Sequence, residues 1–168
     1  INFADLLMRM GFYNPRPPYP FTPGYEVSGY VDALGPGVTS FTIGQRVVAA
    51  MRNGGQASHV TCEASRVLAL PDKISLESAA AIPVIYLTAH HMLHHLGHMK
   101  KDHSVLIHGG AGGVGIAALQ LCKWAGVDKV WATSSAPKHD VIKQYGARAI
   151  DRHNENFVDI VRKDTDAI

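Results

Sequence analysis

The run from Ser104 to Cys122, Ser-Val-Leu-Ile-His-Gly-Gly-Ala-Gly-Gly-Val-Gly-Ile-Ala-Ala-Leu-Gln-Leu-Cys, limits what this chain can fold into more than any other stretch. Val105, Leu106 and Ile107 form the short apolar run that a strand buried on both faces needs. Gly110, Gly112 and Gly115 then fit G-x-G-x-x-G, and Val114, Ala117, Ala118, Leu121 and Cys122 follow at helical spacing. Strand, glycine turn and helix in that order make a cradle for a dinucleotide pyrophosphate. Gly110 is expected to permit the tight turn. Gly112, without a Cβ, lets phosphate approach the backbone, and Gly115 lets the helix pack close to its strand. Gly113 and Val114 complete the candidate cofactor-binding turn. The free N–H groups and dipole of the helix start supply the attraction. A purely structural glycine turn is the competing reading. A phosphate loop of the ATPase kind is excluded, because Gly115 is followed by Ile116 and Ala117 rather than Lys and Ser/Thr.

The texture on either side predicts an α/β chain. Phe3, Leu6, Leu7 and Met10 recur at helical spacing and Gly11 ends that helix. Residues 15–23 carry so many prolines that neither helix nor central strand can form, which leaves a surface loop. Strands are expected at 26–34, 46–51, 56–62 and 66–70, with turns at Gly35-Pro-Gly37 and Asn53-Gly-Gly55, as in a small barrel-like β-domain. Ser75 is placed to cap a helix over 76–82, and a second helix is expected over 84–96 with Gly97 as its stop. Strand and helix then alternate: strands at 105–108, 129–134 and 148–151, helices at 113–125, 137–145 and 155–163, the last capped by Asn154. Such alternation means a parallel, doubly wound sheet. The expected domains are 1–82 and 83–168.

At 168 residues, entering at Ile1 without a leading turn or cap and stopping at Asp166-Ala-Ile168 where a new strand is expected to begin, the chain reads as an internal fragment of a longer protein. A net charge of +2, with no dense Lys/Arg run, argues against nucleic acid. Cys62 and Cys122 are far apart and read as reduced thiols of a cytoplasmic protein. No apolar run approaches the roughly 20 residues of a membrane span. A missing N-terminus leaves room for a targeting segment.

Several short stretches, in order along nearly the whole chain, resemble one family: Asn2-Phe-Ala-Asp5, Pro23-Gly-Tyr-Glu26, Gly35-Pro-Gly-Val38, Gly44-Gln-Arg-Val47, Ala79-Ala-Ala-Ile-Pro83, Leu87-Thr-Ala89 and His108–Gly115. They are similar to the zinc-free quinone oxidoreductase (zeta-crystallin-like) branch of the medium-chain dehydrogenase/reductase superfamily. Residues 103–123 and 135–139 look most like its vesicle amine transport protein subgroup. The resemblance implies an incomplete GroES-like β-barrel domain before an incomplete Rossmann-type sheet. It also implies hydride transfer from NADPH to a small electrophile, a quinone or an enal, and a homodimer in the full-length protein. The alternatives are a reductase of activated C=C bonds, and a nucleotide-binding scaffold, peripherally associated with membranes, that catalyses little. By the same resemblance Asn2 lies in the cleft near the reacting ring, and Thr88 contacts the nicotinamide side. Cap and helix roles compete for both residues. Leu7 and Ile85 stand where some members carry Tyr and Asn, which makes the pocket more apolar.

Zinc enzymes of the superfamily have Gly-His-Glu where this chain has Gly24-Tyr-Glu26, and the four-cysteine lobe is replaced by Met51-Arg-Asn-Gly-Gly55, so no zinc is expected. His90, His91, His94, His95 and His98 form i, i+4 pairs. With no Glu or Cys to complete a site, they read as an ordinary helix rather than a metal centre. Cofactor choice rests on the end of the second parallel strand. An NAD-specific fold places an acid there, whereas this chain has Thr133-Ser-Ser135 followed by Lys138, with Arg152 after the third strand. Hydroxyls and cations suit a 2′-phosphate, so Ser134, Lys138 and Arg152 are the expected NADPH contacts; the competing reading makes Ser134 a helix N-cap and Lys138 a solvated lysine.

Overall fold

A computed structural model describes residues 1–14 and 17–165. They form two compact units, Ile1–Val84 and Ile85–Ile168. From Pro17 to Pro23 the chain has no helix or strand, as its prolines require. Pro15 and Arg16 of that loop, and the strand start expected at 166–168, lie outside the described residues.

In the first unit helix α1 (Phe3–Arg9) opens the chain. Its apolar positions do not form the buried face. Phe3 and Met10 are exposed, and the residues that go inside are Met8 and Asp5, each 2% exposed or less. Asp5 is buried because it has work for both carboxylate oxygens. Oδ2 accepts the Asn2 N–H at 2.8 Å and Oδ1 accepts the Gly24 N–H at 3.0 Å. The first bond satisfies a donor at the helix start; the second ties α1 to the segment that leads into the sheet.

That sheet is antiparallel, ordered β1 (Glu26–Tyr30), β2 (Arg46–Ala50), β3 (Val67–Ala69). Its register pairs Val27 with Ala49 and Val48 with Leu68. Two expected strands are corrected. The first stops at Tyr30 instead of running to Leu34, and residues 56–62 form no strand. The middle strand, β2, already has a neighbour on each side. A strand at 56–62 would have to find its ladder at an outer edge, and without a ladder its backbone groups turn to solvent. After β3, Ser75 caps α2 (Leu76–Ala79) as expected, its Oγ accepting the Ser78 N–H at 3.1 Å. This helix ends before Ile82 because Ala81 and Ile82 already donate to carbonyls three residues back, a tightened final turn. Ser28 Oγ donates to the Leu76 carbonyl and pins α2 to β1.

The second unit carries a parallel sheet, β4 (Ser104–Ile107), β5 (Lys129–Ser134), β6 (Arg148–Asp151), with β5 in the middle. Before it, α3 (Pro83–His90) continues without a break into a π-helical turn, His91–Leu96. Gly97 stops this segment without a left-handed conformation. A Cβ there would lie 2.9 Å from the Met92 carbonyl oxygen, and the positive φ falls on His98. Helix α4 (Gly113–Trp124) buries Ala117, Ala118, Leu119 and Cys122 against Ala132 and Ile142. Helix α5 (His139–Lys143) is shorter than expected, because Ala136–Lys138 form a 3₁₀ turn instead. Helix α6 (Phe157–Thr165) starts later than expected. Asn156 accepts the Val158 N–H at its start, while the expected cap Asn154 donates to the Asp151 carboxylate at 2.7 Å. Trp131 is buried and donates its indole N–H to Asp164 at 2.8 Å. This bond, with Arg148 on the same carboxylate, holds α6 to the sheet and keeps Asp164 below the usual carboxylate range.

The Asp5 carboxylate generates the first prediction. Asp5→Ala leaves two N–H donors without their partner and should destabilise the first unit by about 1–3 kcal/mol. Leu6→Ala, on the exposed side of the same helix, should cost less; urea denaturation of both variants measures the difference.

Candidate functional site

Strand β4 ends at Ile107, and the chain turns through His108–Gly112 into α4. The backbone of this turn is anchored to the neighbouring strand. The Gly110 N–H donates to the Thr133 carbonyl at 2.9 Å, and the Gly109 N–H donates to Thr133 Oγ1 at 3.2 Å. The expected reason for Gly110 is corrected here. The left-handed residue is Gly109, with φ of 69°. Gly110 is needed for space, because a Cβ on it would stand 2.5 Å from the Ala132 Cβ. Gly115 is needed for the same reason, since its Cβ would lie 2.4 Å from the Gly109 carbonyl oxygen. The strand end and the first turn of α4 therefore meet backbone to backbone. Gly112 is the N-cap and has no side chain to offer, so no side chain caps this helix. The N–H groups of Gly113, Val114 and Gly115 at the helix start have no intrahelical acceptor, and they give the turn its capacity for an anion. Residues present here thus fit a dinucleotide pyrophosphate.

Ile85 packs on this turn, its Cγ2 at 3.2 Å from where a Gly113 Cβ would be. A cavity of about 520 Å³ opens on the turn, lined among others by Met92, Leu93, Ile107, Gly112 and Val114. Thr88 stands on the exposed side of α3.

The register Ser134↔Asp151 brings the ends of β5 and β6 together. Ser134 is buried, its Oγ donates to the Ser135 carbonyl at 3.1 Å, and its own carbonyl accepts the Arg152 N–H at 3.0 Å. The competing role of Ser134 as a helix cap is therefore not taken up. Lys138 closes the exposed 3₁₀ turn that follows β5. So Ser134 and Arg152 are joined through the backbone, with Lys138 on the turn leaving the same strand end. Sequence reasoning missed two neighbours. Asp151 lies directly beside Ser134, its carboxylate held by Asn154 Nδ2 at 2.7 Å and by the His153 N–H at 3.1 Å, and those bonds keep it below the usual carboxylate range. His153 accepts from the Arg152 Nε–H at 3.1 Å. Only the strand register shows these two to be neighbours of Ser134.

In the first unit Asn2 and Glu26 meet. Asn2 Nδ2 donates to Glu26 Oε1 at 2.7 Å, and Glu26 Oε2 accepts the Val84 N–H at 2.8 Å. One carboxylate thus orients the Asn2 amide and satisfies a donor in the first turn of α3. Asn2 is also the N-cap residue of α1, which is the competing reading of this residue. Tyr25, between Gly24 and Glu26, is half-buried, with its ring edge-on to Tyr13 at 5.9 Å between centroids. Burial, then the neighbouring Tyr13, pushes its phenol up to about 12. Among the described residues no group of three or more His, Cys, Asp or Glu is placed to hold a metal ion, and no helix is long and apolar enough to cross a membrane.

A GroES-like domain joined to a parallel nucleotide-type sheet defines the medium-chain dehydrogenase/reductase class. Residues 1–72 match the alcohol dehydrogenase GroES-like domain. Over 164 residues the chain is 44% identical to the synaptic vesicle membrane protein VAT-1 homolog of Danio rerio, covering 97% of this chain and 34% of that protein. Among solved structures, Escherichia coli quinone oxidoreductase complexed with NADPH superposes with a TM-score of 0.91 at 34% identity, covering 99% of this chain and 52% of that one. CurK enoyl reductase gives the same TM-score, 0.91, at 30% identity, over 99% of this chain and 53% of its own. The chain is similar to VAT-1 homologs and to quinone oxidoreductases over nearly its whole length. It spans about a third of the VAT-1 relative and about half of the two solved proteins.

Two predictions follow from this geometry. Gly115→Ala places a methyl group against the Gly109 backbone and should cost the second unit about 1–3 kcal/mol as overpacking; thermal denaturation beside the wild type reads it. For Tyr25, the folded phenol titrates above its ordinary value of 10.0. The folded state therefore holds its proton more tightly, and the contribution to stability is complete below about pH 10 and lost as pH rises toward 12. Tyr25→Phe should flatten that alkaline fall, measured by denaturant titrations across the window.

Proposed function

We propose that the full-length protein is an NADPH-dependent oxidoreductase that delivers hydride to a quinone or a similar electrophilic carbonyl. The observation that carries this reading is the end of β5. A buried Ser134 stands where an acid would be needed to accept from a free ribose 2′-OH, and the Arg152 N–H is bonded to it. The NADPH complex of the Escherichia coli relative supports the same choice. Gly112, Gly113, Val114 and Gly115 are assigned to the pyrophosphate, with Gly110 shaping their turn. Ser134, Lys138 and Arg152 are assigned to the 2′-phosphate, where charge-assisted bonds favour the phosphorylated cofactor. Thr88 is assigned to the nicotinamide side and Asn2 to the substrate cleft. Glu26 accepts the Asn2 amide N–H and so fixes the orientation of that side chain.

The bound nicotinamide supplies the hydride; the chain's part is to orient ring and acceptor and to exclude water. No acid is assigned, because a reduced quinone oxygen can take its proton from water. The domains are read as 1–82 and 83–168, the active protein as a cytoplasmic homodimer, and the site as zinc-free. A second reading, reduction of a C=C bond conjugated to a carbonyl, is favoured by the likeness to CurK enoyl reductase.

Fluorescence titration of the full-length protein with NADPH and NADH tests the cofactor assignment, and turnover with a panel of quinones and enals tests the acceptor. Lys138→Ala with Arg152→Ala should lower the NADPH-over-NADH preference about tenfold or more, since each bond to a charged group is worth about 1.5–3 kcal/mol. Unchanged discrimination removes these residues from the phosphate site. No binding of either nucleotide leaves a scaffold role.

A further inference from the structure

The histidines after α3 were set aside in the sequence because no third ligand type stands near them. The structure adds two observations. First, His91–Leu96 is a π-helical turn, and the Gly97 N–H reaches back five residues to the Met92 carbonyl at 2.9 Å. Such turns are rare and concentrate at functional positions. Second, four imidazoles are paired here, His90 at the end of α3 and the other three on the turn. His91 and His95 are both exposed, with centroids 4.8 Å apart and planes within 23° of parallel. His90 and His94 are 4.7 Å apart but inclined at 40°, and His94 Nε2 is buried without a hydrogen-bond partner.

The two pairs are not equivalent toward a cation. A metal ion needs a ring-nitrogen lone pair from each imidazole and room for water in its remaining positions. On His94 one ring nitrogen is shut away from solvent, so that pair cannot present both rings freely. His91 and His95 lie side by side on the exposed face, and an ion at their common edge keeps its other positions in water. Their nitrogens suit Cu²⁺, Ni²⁺ or Zn²⁺, and not Mg²⁺ or Ca²⁺, which take oxygen. We propose that His91 and His95 form a surface chelate for one divalent transition-metal ion, with Cu²⁺ the tightest of the series. The site is independent of the hydride chemistry. Met92 and Leu93 of the same π-turn line the cavity that opens on the glycine turn, whereas His91 and His95 are not among its lining residues.

The test uses the full-length protein without an affinity tag, in a non-coordinating buffer, titrated with CuCl₂ and NiCl₂ by calorimetry. One ion per chain is expected. His91→Gln with His95→Gln should weaken binding more than about tenfold, given that even outer-shell changes around a metal cost about 10–100-fold. His90→Gln with His94→Gln should leave it within about twofold, since neither is a ligand here. Wild-type affinity in the first double variant, loss in the second instead, or no uptake by the wild type overturns the proposal. Labelling of the wild type by diethyl pyrocarbonate, read by mass spectrometry, does not depend on any variant folding. Cu²⁺ should protect His91 and His95 and leave His59 reactive. Uniform protection, or protection at His90 and His94 alone, refutes the site.

Discussion

At the start of α4 two stretches of backbone touch with no side chain between them. A Cβ on Gly115 would stand 2.4 Å from the Gly109 carbonyl oxygen, and one on Gly110 would stand 2.5 Å from the Ala132 Cβ. Interiors as dense as this do not absorb such atoms cheaply. The contact sets how close α4 comes to β4 and β5, and that closeness lets small residues, Ala117, Ala118 and Ala132, fill the layer between helix and sheet. It also aims the uncapped first turn of α4 at the end of the strands. Packing and anion-binding capacity therefore come from different glycines of one turn: Gly110 and Gly115 let the helix dock, and Gly112 leaves its first N–H groups without a side-chain cap.

The first unit depends on carboxylates in a comparable way. Asp5 is 1% exposed and Glu26 is half-buried, and each uses both oxygens on donors. A buried carboxylate without donors would be costly. Here the charge is met by three backbone N–H groups and one amide, and the bonds join α1, the Gly24 segment and the first turn of α3. Tyr25 lies between Gly24 and Glu26, ring to ring with Tyr13. Where zinc enzymes of the class put an imidazole, this chain has a phenol that stays neutral to about pH 12, which is no donor for a metal at ordinary pH.

Much of the second unit was legible because its signals are local. The apolar run 105–107, the glycine spacing and Gly146 mark elements whose ends moved by few residues, and β5 and β6 begin and end where expected. What the sequence hid was pairwise. Residues 56–62 follow a turn signal as a strand would, but they have no place in the order β1-β2-β3. Phe3, Leu6 and Met10 have helical spacing, yet Asp5 goes inside because Gly24, nineteen residues on, supplies its donor. Asn154 looks like a cap and serves Asp151 instead. In the candidate site the glycine turn was readable residue by residue, whereas the Asn2–Glu26 bond was not, because neither residue's spacing hints at the other.

The same distinction bears on cofactor choice. An acid does stand near the end of β5: Asp151, level with Ser134 on the next strand. Proximity alone would make it a rival for the ribose hydroxyl and a repellent for a phosphate. Its carboxylate, however, is occupied from its own side by the Asn154 amide and the His153 N–H. Those bonds spread its charge over donors of the β6–α6 turn and hold it away from acceptor work. The Arg152 side chain, the next residue on, carries a full positive charge and leans on His153 rather than on Asp151. Among the described residues no carboxylate pairs with the Arg152 guanidinium, and Glu155, the other acid of this turn, is engaged by the Asp151 N–H. The proposed phosphate preference thus rests on how Asp151 is bonded as much as on which residues end β5.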